Sequence, residues 1–236
     1  MVVIGTIVFG LGGIVFAVPI IFFFVSSNLL TFMTSPSKRV AMIAFGKTGP
    51  RDIRQVLANG GVAAACALVY FITGKFVWFF PYLASLCAAA ADTWATERGT
   101  MSRQTPVSIV TLKKTEAGRS GAVTVAGMIS AAAGSTFVML SGYFAVKLAG
   151  GFGTFPTMTW LAVLNAGFAG SILDSILGGS IQAMYRCPIC NRITERRTHC
   201  GDSTIPVSGF LFIDNEVVNF ASVLFAAGAA VLTFLV

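Results

Sequence analysis

The sequence predicts an all-α fold, a polytopic transmembrane bundle of about six spans, and three observations carry that prediction. Apolar runs of about 20 residues, the length needed to cross ~30 Å of hydrocarbon as a helix, recur along the chain. Only 11% of the 236 residues are charged and 56% are hydrophobic, against roughly 25% charged in soluble domains. The segments between the runs alternate between strongly basic and nearly uncharged. The chain therefore reads as one integral membrane domain over 1–236. A first span and basic loop occupy 1–50, a core 51–236, and a Cys- and His-bearing loop 185–209.

The first run, Val2 to Val25, has no basic segment ahead of it, which predicts a retained helix rather than a cleaved signal peptide. Further runs fall at Gln55 to Gly74, Phe76 to Thr93, Ser120 to Leu148, Thr159 to Met184 and Phe210 to Val236. Of the 16 Lys and Arg residues, Lys38, Arg39, Lys47, Arg51, Arg54, Arg98, Arg103, Lys113, Lys114, Arg119, Arg186, Arg192, Arg196 and Arg197 fall on one side, and only Lys75 and Lys147 on the other. Short loops rich in Lys and Arg stay cytoplasmic, so the three long loops are expected inside a cell membrane and both termini outside. A net charge of +7, confined to loops beside spans, points to topology and anionic substrates rather than to nucleic acid. The oligomeric state is left open. No internal repeat is evident, so an inverted-repeat transporter gains no support from that direction.

Charged residues within spans are functional candidates, because each costs ~2.5–3.5 kcal/mol on insertion scales. In Ala91-Asp92-Thr93-Trp94-Ala95-Thr96-Glu97, helical spacing puts Asp92 and Thr96 on one face and Thr93 and Glu97 on the next, at the cytoplasmic mouth. A plain helix end, with Trp94 at the interface and Glu97 paired to Arg98, is the competing reading. It suits Asp92, deeper and flanked by alanine, less well. The fifth run holds Asn165 and Leu173-Asp174-Ser175. Asp174 precedes Arg186 by twelve residues, up to ~18 Å of helix, so a helix-end explanation does not reach it. The sixth opens with Asp214-Asn215-Glu216 and places Asn215 and Asn219 on one face. Asp214 is also ordinary compensation of the helix dipole. Carboxylates from three helices, Asp92 and Glu97, Asp174, and Asp214, suit a Mg²⁺ site completed by water and substrate phosphates, and hence phosphoryl transfer.

Complementary charge comes from Lys113, Lys114 and Arg119. Gly118 and Gly121 permit close approach, and Ser120 is expected to cap a helix whose amino terminus binds phosphate. An ordinary positive-inside loop is the alternative. Gly46-Lys47-Thr48 resembles the end of a Walker A loop, but Ala41 stands where its first glycine is required. Asn59-Gly60-Gly61 suits either a ligand or helix packing. Cys187-Pro188-Ile189-Cys190 followed by His199-Cys200 offers four ligands for a structural Zn²⁺, though adjacent His and Cys make an unusual second half. A disulfide is disfavoured in a reducing compartment.

Taken in order, Leu57-Ala58-Asn59-Gly60-Gly61, the stretch 91–97, Gly118-Arg119-Ser120-Gly121, Leu173 to Gly178, the two cysteine strings and Ile213-Asp214-Asn215 with Val218-Asn219 resemble the membrane family containing transmembrane protein 19 and plant phytyl-phosphate kinase. The resemblance runs from about residue 50 to the carboxyl terminus. Arg98 and the charged Gly-Arg-Ser-Gly string depart from its pattern without touching the carboxylates. The resemblance implies an enzyme related to the dolichol kinase and phytol kinase group. Such an enzyme phosphorylates an isoprenyl monophosphate lipid with a nucleoside triphosphate, CTP or ATP, and Mg²⁺. It implies that Asp92, Glu97 and Asp174 are catalytic and hold the Mg²⁺, and that Arg119, Ser120 and Gly121 clamp phosphate. Asn59, Thr93, Thr96, Lys113, Lys114, Asp214, Asn215 and Asn219 then form the nucleotide and phosphate shell. A lipid-phosphate nucleotidyltransferase and an ion-coupled transporter or flippase of a lipid or small anion are the competing functions. A purely structural scaffold is disfavoured by Asp174.

Overall fold

The computed structural model describes residues 2–33 and 53–233. Among them, six helices are long and apolar enough to cross a membrane, as the apolar runs predict. These are α1 (Val2–Met33), α2 (Ile53–Thr73), α3 (Phe79–Met101), α4 (Val125–Ala149), α5 (Thr157–Ser180) and α6 (Asn215–Leu232). Lys38, Arg39, Lys47, Arg51 and the string Gly46-Lys47-Thr48 lie outside the described residues.

Helix α3 is the axis of the bundle. It touches the other five helices, which close around it in the order α1, α2, α6, α5, α4 and back to α1. Its sequence suits that place: every residue from Phe79 to Ala91 is buried, and the alanines at 88–91 keep its surface thin. The neighbours answer with glycine. A Cβ added at Gly142 or Gly134 of α4 would run into Leu83 or Trp94, and one at Gly167 or Gly170 of α5 into Cys87 or Ala88. Lipid tails are as apolar as the side chains, so packing of small residues rather than water exclusion draws such helices together.

The helix ends follow from local chemistry. Thr124 caps α4 by accepting from the Gly127 amide at 3.0 Å, and Asp214 caps α6 by accepting from Val217 at 3.1 Å. At the opposite end of the bundle Gly74 and Gly150, both at φ +65°, donate back to Tyr70 and Val146 and stop α2 and α4. Pro81 is tolerated in the first turn of α3, where the amide it lacks has no intrahelical partner. Gly13 (φ 66°, ψ −163°) interrupts α1. Just beyond it the Tyr82 hydroxyl donates to the Phe16 carbonyl, tying α1 to α3.

Several boundaries differ from the expected ones. α1 continues past Val25 to Met33 and α3 past Thr93 to Met101, and in these extensions Thr31 of α1 and Glu97 of α3 satisfy each other. α4 begins at Val125 rather than Ser120, since β2 (Ala122–Val123) pairs first with β1 (Val107–Ser108). α5 stops at Ser180, short of Met184, which belongs to β3 (Met184–Arg186). α6 starts at Asn215 rather than Phe210. The segment between α5 and α6 forms a small antiparallel sheet of β4 (Ile193–Thr194), β3 and β7 (Ile205–Ser208), with a separate hairpin of β5 (Thr198–His199) and β6 (Asp202–Ser203). The bundle is thus all helical, and short strands are confined to its two long described loops.

Candidate active site and cysteine–histidine cluster

Where α3 ends and α4 begins, a small cleft of about 60 Å³ opens among α3, α4, α5 and the loop before α4. That is well below the roughly 300–1,000 Å³ of sites that enclose a whole small molecule. Asp92 and Thr96 line it one turn apart on α3, Ser171 and Ser175 one turn apart on α5, and Gly118 and Arg119 close it from the loop. With Thr100 and Thr124 also in its lining, Asp92, five hydroxyl-bearing residues and Arg119 therefore border the cleft at the polar end of an apolar bundle.

The loop carrying Arg119 is fastened on both sides. Ser120 Oγ donates to Glu195 Oε1 at 2.5 Å, a bond to the segment between α5 and α6. Gly121 adopts φ +76°, and a Cβ there would stand 2.5 Å from Gly179 Cα, so the loop backbone lies directly on the end of α5. Ser120 accordingly does not cap α4, and the close approach permitted by Gly121 is to a neighbouring backbone.

The acids divide among different surroundings. Five residues turn an α-helix through about 140° beyond a full circle, so Glu97 leaves the face of Asp92 and turns to α1. There it is 6% exposed and accepts from Thr31 Oγ1 at 2.6 Å. Asp174 accepts from Ser222 Oγ of α6 at 3.2 Å. Asp214 accepts from Arg54 Nη2 at 2.6 Å besides capping its helix. Among the described residues, the one group of three or more Asp, Glu, His or Cys side chains close enough to share an ion is Cys187, Cys190, His199 and Cys200. Asp92, Glu97 and Asp174 therefore do not surround one ion, and only Asp92 of the three lines the cleft.

The remaining expected site residues are more dispersed. Asn59 donates to Gln55 O at 3.1 Å, Thr93 to Ala89 O at 2.8 Å and Asn165 to Leu161 O at 2.8 Å, all within their own helices. Asn219 is buried, and Asn215 is half-buried at the start of α6. Lys113 and Lys114 are exposed on the loop and do not line the cleft.

On the other side of α3, a second depression runs between α2 and α6. It is an open groove of about 770 Å³ whose lining is almost wholly apolar, from Leu57, Gly61 and Val69 on α2 to Phe220, Leu224 and Val231 on α6. Arg54 and Glu216 stand at one end and Trp78 toward the other.

The cysteine–histidine loop is compact. The donor atoms of Cys187, Cys190, His199 and Cys200 all lie within 4.8 Å of one another. His199 Nδ1 stands 3.5 Å from Cys190 Sγ and 3.2 Å from Cys200 Sγ. A hydrogen bond from the Cys190 amide pulls the Cys187 thiol down to about 6, whereas contact with the Cys190 side chain pushes Cys200 up to about 11.

Several site residues carried no signal in the sequence. Thr31 lies beyond the expected end of the first span and 66 positions from Glu97, and Glu195 lies 75 from Ser120. Nothing local announces such pairs. Ser171 and Ser175, by contrast, stand one turn apart beside Asp174, and helical periodicity alone would have found them.

Comparison with known proteins bears on the whole of this arrangement. No solved structure matches the chain. Protein PGR of Arabidopsis thaliana is 30% identical over 226 residues, covering 86% of this chain and 75% of that protein. An uncharacterised membrane protein of Methanocaldococcus jannaschii is 31% identical over 129 residues, 54% of this chain and 50% of its own. Another from Synechocystis is 29% identical over 185 residues, 76% of this chain and 68% of its own. The family model described as integral membrane protein DUF92 matches residues 1–227. With six membrane-length helices and a match over nearly its full length, the chain belongs to the DUF92 family of integral membrane proteins, which bears out the resemblance carried by its motifs.

Proposed function

We propose that the protein is a membrane-embedded isoprenyl-phosphate kinase. It transfers the terminal phosphoryl group of CTP or ATP to a prenyl monophosphate of the phytyl, geranylgeranyl or polyprenyl class, giving the diphosphate. The observation that carries this reading is the convergence of Asp92 and Arg119 on one polar cleft at the end of an apolar bundle. The long apolar groove between α2 and α6, ending at Arg54, offers a prenyl chain a seat within the membrane.

One carboxylate completed by water and substrate phosphates is a usual way to hold Mg²⁺, and the oxygen donors of Asp92, Thr96, Ser171 and Ser175 fit that role. The ion would supply neutralisation of the nucleotide phosphates. Arg119 stabilises charge on the transferring group, and the hydroxyls orient its oxygens. An oxygen of the acceptor phosphate forms the new bond to the terminal phosphorus, the bond to the bridging oxygen breaks, and a nucleoside diphosphate leaves. The acceptor is already anionic, so the transfer needs no strong base beside it. Glu97 and Asp174, turned to Thr31 and Ser222, hold helices around the cleft.

The test is incubation of purified protein in detergent with Mg²⁺, labelled CTP or ATP and a panel of prenyl monophosphates. A prenyl diphosphate with matching nucleoside diphosphate supports the reading. A nucleotidyl-lipid product replaces it with nucleotidyl transfer. No product from any acceptor, with substrate movement by the same protein in liposomes, replaces it with transport.

A further inference from the structure

We propose that the loop between α5 and α6 is a zinc-stapled platform, with Zn²⁺ held tetrahedrally by Cys187, Cys190, His199 and Cys200, and that this platform positions the Arg119 loop over the cleft. The inference does not depend on the kinase reading.

The two halves of the site are built alike. Cys187 and Cys190 sit in the turn joining β3 to β4, where the Asn191 amide donates back to the Cys187 carbonyl at 2.9 Å and Asn191 takes φ +56°. His199 ends β5 and Cys200 follows in the turn to β6, where Cys200 and Gly201 take φ +54° and +83°. Left-handed backbone at these points turns each hairpin so that its donor atoms face those of the other. In a tetrahedral site with Zn–S near 2.3 Å and Zn–N near 2.0–2.1 Å, donors stand about 3.3–3.8 Å apart. The 3.2 and 3.5 Å separations about His199 already approach that spacing.

A second observation shows why a staple is needed. Between Pro188 and Gly209 the only buried residue is Thr194. A segment with so little interior has no hydrophobic core to pay for its ordering, and small units of that kind are held by metals or disulfides. All five cysteines of the chain are free thiols.

The platform reaches the cleft through the hydrogen bond between Ser120 and Glu195. Glu195 lies between the two ligand-bearing turns and accepts from Ser120, the residue next to Arg119. Arg197 donates to Leu211 O at 2.9 Å, tying the same platform to the segment leading into α6. Glu195 is thus a positioning residue, and its place is fixed by ligands on both sides of it in sequence.

The test begins with full-length protein purified without chelator and analysed for metal. About one zinc per chain is expected. Cys190→Ser and Cys200→Ser should each lose most of it, while His199→Cys, which keeps four soft donors, should retain it. Zinc well below one equivalent in wild type overturns the site. A full equivalent retained in both serine variants overturns it equally, as does a Cys187–Cys190 disulfide found under reducing conditions. Should the serine variants fail to fold, Co²⁺ exchanged into wild type decides. Thiolate charge-transfer bands with tetrahedral visible absorption support the site, and their absence refutes it. For the positioning role, chelated protein should be cut by trypsin several-fold faster at Lys113, Lys114 and Arg119. An unchanged cutting rate overturns that part of the proposal.

Discussion

Asp92 and Glu97 are five residues apart in one string of α3, yet they occupy opposite environments. Asp92 faces a cleft shared with Arg119, Ser171 and Ser175. Glu97 is buried against α1 and accepts from Thr31. Their difference comes from helix geometry alone: a carboxylate on the face toward α4 and α5 meets a loop and space, and one about 140° further round meets a packed neighbour. Two acids in one motif therefore need not share a task. The first suits chemistry on a ligand, and the second suits holding α1 to the central helix.

Replacing Asp92 by Asn is expected to have the largest effect. Loss of one preorganised charged group at a phosphoryl-transfer site costs on the order of 10²–10³ in turnover, with expression and thermal stability in detergent near wild type. Glu97→Gln, which keeps an oxygen acceptor for Thr31, should leave activity within about threefold, a change well under 1 kcal/mol. A kinetic comparison of the two variants that gave equal losses would break the distinction.

Gly121→Ala comes next. It places a Cβ against Gly179 and forces an L-residue to φ +76°, together costing about 2–3 kcal/mol. Activity should fall with the melting temperature, because the Arg119 loop is lifted from α5. Thr31→Val then removes a hydrogen bond to a buried carboxylate, worth about 1.5–3 kcal/mol. It should lower the melting temperature while leaving nucleotide affinity unchanged, and a changed affinity instead would place Glu97 in the site. Smallest is Arg54→Ala. Its pair with Asp214 has the arginine side chain 68% exposed, and such pairs contribute about 0–1 kcal/mol. A marked rise in KM for the prenyl phosphate alone would show that Arg54 meets the lipid headgroup at the groove mouth.

The orderly parts of the molecule were legible because they are periodic or local. Runs of apolar residues long enough to cross hydrocarbon gave six helices. The one-turn spacing of Asp92 and Thr96 put both in one cleft, and the Cys-x-x-Cys and His-Cys strings marked the ligand cluster. What hydropathy misplaced were the ends of α1 and α3. A window average falls when Thr31 and Glu97 enter it, and it has no means of knowing that the two satisfy each other.

By itself, then, the sequence determined the number of spans, the segregation of charge into alternate loops and the residue types available for chemistry. These depend only on the cost of placing each side chain in hydrocarbon or water. Only the tertiary structure decided that Asp92 and not Glu97 lines the cleft, that Ser120 is bound to Glu195, and that Gly121 rests on Gly179. Those outcomes depend on which helix lies beside which face of α3. That order is set by the packing of Gly134, Gly142, Gly167 and Gly170 against the central helix, through contacts between residues far apart in the chain.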